Sequence, residues 1–204
     1  EVYYVVCTSG DKGSSDTNIT NAELADIREN EQREAAKIVG AKNVVFLKYP
    51  DNRLQNTINL RMAITRQIRI LQPDMVICMD PAMFYSDRGL YHPDHRAAGS
   101  ATLEAIFPSA RDYHAFPELI AEGLMPHKVR AVMICGASTN HNHFEDVTDT
   151  FDTKLKALKA HKSQVGTQPQ RLSDFESNLR QYYSSIGLPN GMSYAEGFRL
   201  ITLS

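Results

Sequence analysis

The chain has 204 residues, of which 42% are hydrophobic and 23% are charged, and its formal net charge is −2. This composition is typical of a globular protein that can bury a core as a single domain. The small net charge gives no field that would attract nucleic acid or an anionic membrane surface, so neither is predicted as a partner. No apolar run reaches the roughly 18 residues that a membrane-spanning helix needs, so no such helix is predicted.

Three cysteines, Cys7, Cys78 and Cys135, each lie in or beside an apolar run. Because their number is odd and no C-x-x-C spacing occurs, they are predicted to be reduced core residues rather than disulfides or zinc-binding thiolates. Reduced cysteines are typical of a reducing compartment, so the sequence predicts a cytoplasmic protein.

The first predicted element is a strand over residues 2–7, a β-branched and aromatic run of the kind that is buried on both faces of a parallel sheet. Residues 8–13 form a glycine-punctuated loop after it. This loop lacks the G-x-G-x-x-G and Walker patterns, so it does not predict a nucleotide site. A helix is predicted over residues 22–39, on which Arg28 and Glu31 are three residues apart and could form an ion pair.

A second short strand, residues 43–47, is followed by a Pro-Asp-Asn turn that contains Asp51. In an open α/β sheet, functional side chains gather in the loops that leave the carboxyl ends of strands. Asp51 is therefore a site candidate by its position, although the same tripeptide is just as often only a turn. A second helix is predicted over residues 60–71.

The centre of the chain is a predicted buried strand, residues 75–79, and the loop that follows it, residues 87–95. The loop ends in His-Pro-Asp-His, residues 92–95, before a helix that is predicted over residues 96–106. Pro93 biases the residue before it away from helical geometry, so one imidazole could bind a metal while the other faces a substrate. A polar solvated loop is the competing interpretation.

The rest of the chain continues the alternation of strands and helices. Residues 108–128 are irregular and have the prolines of a lid or subdomain edge. Strands are predicted over residues 129–135 and 194–203, and helices over residues 151–164 and 175–186. Apolar strands that alternate with helices predict an α/β fold, a Rossmann-like and mostly parallel sheet with helices on both faces.

Other histidines are weaker candidates. His141 and His143 alternate on an extended segment and could bind a metal from the same side, although a polar loop is the more frequent case. His161 shares a helix face with Lys154 and Ala157. A histidine on such a face is usually a structural residue, so its spacing alone assigns it no function.

Taken in order, six motifs resemble those of the PIG-L/LmbE family of zinc-dependent N-acetylglucosaminyl deacetylases, from the first strand to Phe198. They are Thr8-Ser-Gly-Asp-Lys-Gly13, Arg28-x-x-Glu31, Pro50-Asp51, Asp87 with His92-Pro-Asp-His95, Lys154-x-x-Ala157 with His161-x-Ser163-Gln164, and Tyr194-Ala-Glu196-x-Phe198. Each motif is weak alone, but their order and spacing are specific. The resemblance implies a single LmbE-like deacetylase domain over residues 1–204.

The family pattern begins with a further strand and a His-Pro-Asp-Asp-Glu loop that does not occur in these 204 residues. In the family, that loop carries two of the three protein ligands of the zinc ion and the aspartate taken to be the general base. The resemblance therefore implies a domain that is incomplete at its N-terminus, with the lacking segment present in the natural protein. On this expectation the 204-residue chain alone could be inactive.

The resemblance implies that Zn²⁺ is the cofactor and that His95 is the zinc ligand supplied by this chain. A catalytic zinc takes three protein ligands and a water whose pKa falls to about 7, and this water attacks the acetamide carbonyl. His92 is implied to stabilise the oxyanion or to protonate the leaving amine. Asp94 is implied to orient a neighbouring imidazole by a hydrogen bond.

The resemblance also implies contacts to a small N-acetylated amino-sugar substrate. Arg28 and Asp51 are expected to bind sugar hydroxyls, and His161 is expected to lie near the pocket. Tyr91 could offer its hydroxyl to the oxyanion. The predicted activity is thus removal of an N-acetyl group from an N-acetylglucosamine-type sugar or conjugate.

Two alternatives stay open at this point. With half of the zinc site absent, the chain could be a non-catalytic sugar-binding or structural remnant of the same fold. A metal phosphoesterase would favour a two-metal carboxylate cluster or a phosphate-cradling loop, and neither is clear. Residues 108–128 and 166–190 are expected to select the N-acetylated substrate, and the sequence leaves open whether the protein is a homo-oligomer.

Overall fold

The computed structural model describes residues 1–86, 89–136 and 140–203. Asp87 and Arg88, which begin the predicted central loop, lie outside the described residues. The chain divides into two compact units, of which the first consists of Glu1–Asp51 and Phe144–Gly197, and the second of Asn52–His143 and Phe198–Ser204. That residues 1–204 act as one domain stays a prediction.

The strands of the described residues are, in chain order, β1 (Tyr3–Thr8), β2 (Asn43–Tyr49), β3 (Met75–Met79), β4 (Tyr85–Ser86), β5 (Gly89–Leu90), β6 (Ala131–Cys135), β7 (His143–Asp146) and β8 (Ala195–Thr202). The helices are α1 (Asn21–Ile38), α2 (Ile58–Leu71), α3 (Pro93–Glu104), α4 (Pro117–Ala121), α5 (Phe151–Lys159), α6 (Lys162–Val165) and α7 (Pro169–Gly187). A π-helical turn (Ala105–Ala110), which is interrupted by extended backbone at Phe107 (φ −139°, ψ 125°), follows α3. Among the described residues, no helix is long and apolar enough to cross a bilayer.

In the first unit, β1 and β2 pair in parallel, with Tyr3 opposite Asn43. Helix α1 packs against β2 and against α5. A capping box begins α1, in which the Thr20 hydroxyl accepts the N–H of Glu23 and the Glu23 carboxylate accepts the N–H of Thr20. The helix predicted here is confirmed to within one residue at each end.

In the second unit, β3 pairs in parallel with β6, and β6 pairs antiparallel with the last part of β8. Helix α3 lies on β3, and Gly99 permits the contact because a Cβ at this position would collide with the Met79 carbonyl oxygen. Helix α2 packs against α3 and against the π-helical turn. Two parallel strand pairs combined with helices confirm the predicted mixed α/β class.

Two helices begin three or more residues earlier than predicted. Helix α3 starts at Pro93 and α7 starts at Pro169, so in both cases a proline occupies the first turn. Proline suits this position because its missing N–H would have no partner within the helix and its φ angle is already helical. The His-Pro-Asp-His sequence is therefore the start of a helix, and its prediction as a loop is wrong.

The helix predicted over residues 151–164 is broken. Helix α5 ends at Lys159 and α6 begins at Lys162, and between them His161 has a non-helical backbone (φ −79°, ψ 60°). The His161 carbonyl accepts the N–H groups that begin the new turn, from Gln164 and Val165. The break moves His161 off the helix face on which its spacing had placed it.

The two strands predicted to be fully buried are not enclosed. Each has an edge without a neighbouring strand among the described residues, and one face of β3 is exposed. Among the described residues, β1 pairs with β2 only and β3 pairs with β6 only. On β3 the alternate side chains Met75, Ile77 and Met79 are exposed, Ile77 by 59%, whereas Cys78 is buried. Burial raises the pKa of the Cys78 thiol to about 12, which agrees with the prediction of a reduced core cysteine.

Candidate active site

The His-Pro-Asp-His motif forms the first turn of α3. His92 caps the helix with an extended backbone (φ −62°, ψ 132°), and its ring Nδ1 accepts the backbone N–H of Asp94 at 3.2 Å. A ring nitrogen that accepts a hydrogen bond carries a lone pair, so the neutral imidazole has its proton on Nε2. The exposed ring of His92 therefore has an Nε2–H that can donate to a ligand.

Asp94 fastens this turn to the segment that follows β2. Its side chain is buried, and its carboxylate accepts the N–H groups of Asn52 at 2.7 Å and Leu54 at 3.3 Å. The distance from its Oδ1 to Nδ1 of His92 is 3.8 Å, too long for a hydrogen bond. The resemblance implied that Asp94 orients a neighbouring imidazole by a hydrogen bond. In the structure this bond comes from the backbone N–H of Asp94 and not from its carboxylate.

His95 lies on the same helical turn as His92, and both side chains are exposed. Their ring centroids are 5.8 Å apart and the rings are tilted by 47°. Tyr91 is held by its backbone, since its N–H donates to the Phe84 carbonyl at 3.0 Å and its carbonyl accepts the Arg96 guanidinium at 3.4 Å. All four predicted residues of the second unit are therefore gathered at one helix start.

These side chains do not complete a metal centre by themselves. Within residues 1–86, 89–136 and 140–203, no three His, Cys, Asp or Glu side chains are grouped so that they could hold a metal ion. The carboxylate of Asp94 is already occupied by two backbone N–H groups. A catalytic zinc takes three protein ligands, so the described residues do not fit a complete zinc site.

His141 and His143 were the second pair of candidate metal ligands. Within the described residues they belong to no group of three possible ligands. The Nε2 atom of His141 lies 3.3 Å from the Gly136 carbonyl oxygen. His143 is the first residue of β7. That these two histidines bind a metal stays a prediction.

In the first unit, Asp51 joins the loops that follow β1 and β2. Its carboxylate accepts the Lys12 N–H at 3.1 Å and the Thr8 hydroxyl at 3.4 Å, and its own N–H donates to the Asp11 carboxylate at 3.4 Å. A carboxylate offers about four lone-pair sites, of which these contacts use two. Asp51 therefore retains acceptor capacity for a ligand.

Arg28 binds the same loop from α1. Its guanidinium donates to the carbonyls of Gly10 at 2.6 Å and Gly13 at 2.7 Å. Side chains at these two glycines would collide with the guanidinium, so the glycines make room for it. The ion pair suggested between Arg28 and Glu31 is wrong, because Glu31 accepts from Ser163 instead.

Glu29 supports this loop and was missed in the sequence. It is only 5% exposed, and its carboxylate accepts the Ser9 hydroxyl at 2.7 Å and the Arg33 guanidinium at 3.0 Å. Burial opposes ionisation of Glu29, but these contacts outweigh it and lower the pKa of the carboxyl. The available signal was its position, seven residues before the buried Ala36 and thus on the same helix face.

His161 lies beside two cavities of the first unit, one of about 490 Å³ and one of about 460 Å³. Its Nδ1 is buried and has no hydrogen-bond partner among the described residues. Burial lowers the pKa of His161, an effect that Glu31 opposes and Arg28 reinforces. His161 thus contributes to the lining of both cavities, while its Nδ1 faces the protein interior.

Parallel strands with polar side chains at their carboxyl ends, and two imidazoles at a helix start, define an α/β enzyme. The family model for PIG-L, described as GlcNAc-PI de-N-acetylase, matches residues 1–106. The chain belongs to this family, and the predicted PIG-L/LmbE membership is confirmed. Its members include N-deacetylases, which confirms the predicted class of enzyme.

Similar proteins agree on this class. Diacetylchitobiose deacetylase of Thermococcus kodakarensis is 34% identical over 203 residues, which are 98% of this chain and 72% of the relative. A probable N-acetyl-alpha-D-glucosaminyl L-malate deacetylase 2 of Bacillus anthracis is 29% identical over 192 residues, 87% of this chain and 75% of the relative. The solved structure of N,N'-diacetylchitobiose deacetylase from Pyrococcus horikoshii, complexed with an inhibitor, has a TM-score of 0.88 and 32% identity, and the match covers 99% of this chain and 73% of that one.

Proposed function

We propose that the protein is a zinc-dependent hydrolase that removes the N-acetyl group from an N-acetylglucosamine-type sugar or conjugate. The observation that carries the proposal is the His-Pro-Asp-His turn of α3, fastened by Asp94, in a chain 34% identical to a diacetylchitobiose deacetylase. The deacetylase names of the relatives argue against a non-catalytic remnant. We further propose a cytoplasmic location, which the odd number of cysteines and the lack of a C-x-x-C spacing in the sequence favour.

His92 is the proposed catalytic residue. Protonation of the leaving amine would need the imidazolium form, in which Nδ1 carries a proton and no longer accepts the Asp94 N–H. The Nε2–H of the neutral ring would instead donate to the oxygen of the acetamide as negative charge develops there. The Asp94 N–H holds the tautomer that this role needs. His95 is proposed as one zinc ligand, and the ligand set needs donors beyond those that the described residues bring to it.

Four residues are proposed to contact the sugar. Arg28 and Asp51 hold the loop after β1, and Asp51 retains acceptor capacity on its carboxylate. His161 is proposed to contact the sugar because it lines both cavities of the first unit. Tyr91, next to His92, is proposed to offer its hydroxyl to the oxyanion.

Acetate release from N,N'-diacetylchitobiose and from N-acetylglucosamine, measured with the natural full-length protein and added zinc, tests the proposal. We expect turnover of at least one compound, and we expect His92→Ala to lower kcat by about 10²–10⁴-fold, the range for loss of a general acid or oxyanion donor. His114→Ala, an exposed histidine of the same unit, is the matched control. No acetate from either compound, or a wild-type rate in His92→Ala, would contradict the proposal.

A further inference from the structure

Glu31 and Ser163 form a two-point contact between residues 132 positions apart in the chain. One carboxylate oxygen of Glu31 accepts the Ser163 backbone N–H at 2.7 Å, and the other accepts the Ser163 hydroxyl at 2.7 Å. Both bonds involve an ionised acceptor, which makes them stronger than bonds between neutral groups. They join α1 to the first turn of α6.

This contact fixes a turn that has few other anchors. His161 immediately precedes α6, and the backbone bonds of residues 161–165 stay within the turn or reach the end of α5. A second side-chain anchor of this turn is Arg171, which donates to the Gln164 carbonyl at 3.0 Å. Glu31 therefore provides the attachment of this turn to α1.

The same helix also carries Arg28, three residues earlier. Arg28 holds the loop after β1, and both Arg28 and Glu31 act electrostatically on His161. A helix is rigid over one turn, so the loop and the α6 turn are held at a fixed separation. His161, with its buried Nδ1 beside two cavities, is the group whose placement depends on this arrangement.

We propose that Glu31 is a positioning residue, which holds the α6 turn so that the imidazole of His161 meets a hydroxyl of the bound amino sugar. The inference rests on the proposed function, because it assigns His161 a sugar contact. Glu31 itself does not touch the reacting atoms. Its effect on the reaction passes through His161.

Kinetic constants for deacetylation by the full-length protein test this role. Glu31→Ala, which removes both bonds, should raise KM by about tenfold, the equivalent of one hydrogen bond to the sugar, and leave kcat within about twofold. Ser163→Ala keeps the bond from its backbone N–H and should raise KM less. Glu31→Gln keeps one acceptor oxygen and should give an intermediate KM. Glu34→Ala, on the same helix and paired at the surface with Lys37, is the matched control and should match the wild type.

The double variant separates positioning from general stabilisation. If Glu31 acts through His161, then Glu31→Ala combined with His161→Ala should have the KM of His161→Ala alone. Additive effects of the two substitutions on KM, or a fall in kcat with unchanged KM, would overturn the proposal.

A readout that needs no turnover keeps this test separate from the proposed function. The ring resonances of His161 in an NMR spectrum, identified by their loss in His161→Ala, should shift in Glu31→Ala and stay in place in Glu34→Ala. Unchanged resonances in Glu31→Ala would overturn the positioning role. A wild-type protein that deacetylates no amino sugar would overturn the proposed function, and with it the sugar contact, even where the resonances shift.

Discussion

Single carboxylates determine how the candidate site is held. Asp94 accepts two backbone N–H groups from the segment after β2, and Glu29 accepts a hydroxyl and a guanidinium beneath the loop after β1. Both are buried, so their oxygens have no water to replace a lost partner. At the scale of the residue, the site therefore depends on acids that do not face the substrate.

We expect Asp94→Asn to destabilise the protein and to slow deacetylation. The amide nitrogen of asparagine cannot accept an N–H, so the free energy of unfolding should fall by about 1–3 kcal/mol, the cost of an unsatisfied buried group. Urea unfolding measures this change, and kcat should fall with it because the first turn of α3, which carries His92, loses a hydrogen bond to the segment after β2. Asp74→Asn, at an exposed ion pair with Arg130, should stay within about 0.5 kcal/mol of the wild type. Equal stability of the two variants would contradict the role of Asp94.

Glu29 makes stability depend on pH. Its pKa in the folded protein is below its ordinary value of 4.5, so its ionised form stabilises the fold fully above about pH 4.5, and this stabilisation is lost as the pH falls through the lowered value. Glu29→Gln should therefore lower the free energy of unfolding at pH 7 and flatten its decline in acid. Unfolding measured from pH 7 to pH 3 tests this, with the exposed Glu34→Gln as control. An acid decline as steep as that of the wild type would count against it.

At the scale of the element, helix α3 carries the residues proposed for catalysis and metal binding, and its contact with β3 fixes where they lie. Pro93 sets its start, Asp94 ties that start to a neighbouring loop, and Gly99 lets the helix approach the β3 backbone. These three contacts come from different parts of the helix. Together they leave His92 one position relative to the strand beneath it.

Gly99→Ala should force α3 away from β3. The added Cβ meets a backbone carbonyl, which cannot swing aside as a flexible side chain would, and such overpacking typically costs about 1–3 kcal/mol. We expect a lower midpoint in thermal unfolding and a lower kcat. Ser100→Ala, the next residue of the same helix, should leave both unchanged or slightly improve stability. A Gly99→Ala variant as active and stable as the wild type would show that the contact is not tight.

Elements were predictable from sequence where their signals are local. The capping residue Thr20 and the apolar spacing of α1 gave its bounds to within one residue, because both act within one helix. The start of α3 was missed because Pro93 was taken as a loop residue, although proline equally suits a first helical turn. The break before α6 has no local signal of comparable strength, and the contact that holds the new turn joins Ser163 to Glu31, far away in sequence.

At the scale of the whole molecule, the candidate residues are divided between the two units. The first unit carries Arg28, Asp51 and His161. The second carries Tyr91, His92, Asp94 and His95. The sequence predicted these residues from motif order, but it could not predict that Arg28 and Asp51 would bind the protein's own loop, because side-chain partners follow from the fold rather than from spacing.

The zinc content of the protein tests the proposed metal site at the scale of the whole molecule. His95 is one proposed ligand, and the described residues offer no group of three ligands, so the complete site depends on donors that the resemblance to the family implies. We expect about one zinc per chain in the natural protein by elemental analysis, close to none in His95→Ala, and an unchanged content in His92→Ala. A zinc content that does not respond to His95→Ala would show that the metal is held elsewhere.

The unpaired edge and the exposed apolar face of β3 affect the solubility of this polypeptide. Its strand is a five-residue run without charge, and three of its apolar side chains face water in the described structure. An uncharged strand with an unpaired edge is a template on which other chains can add. Concentrated solutions of the 204-residue chain should therefore lose protein to insoluble aggregates. A low expression temperature or a solubilising fusion should raise the amount of folded chain that is recovered.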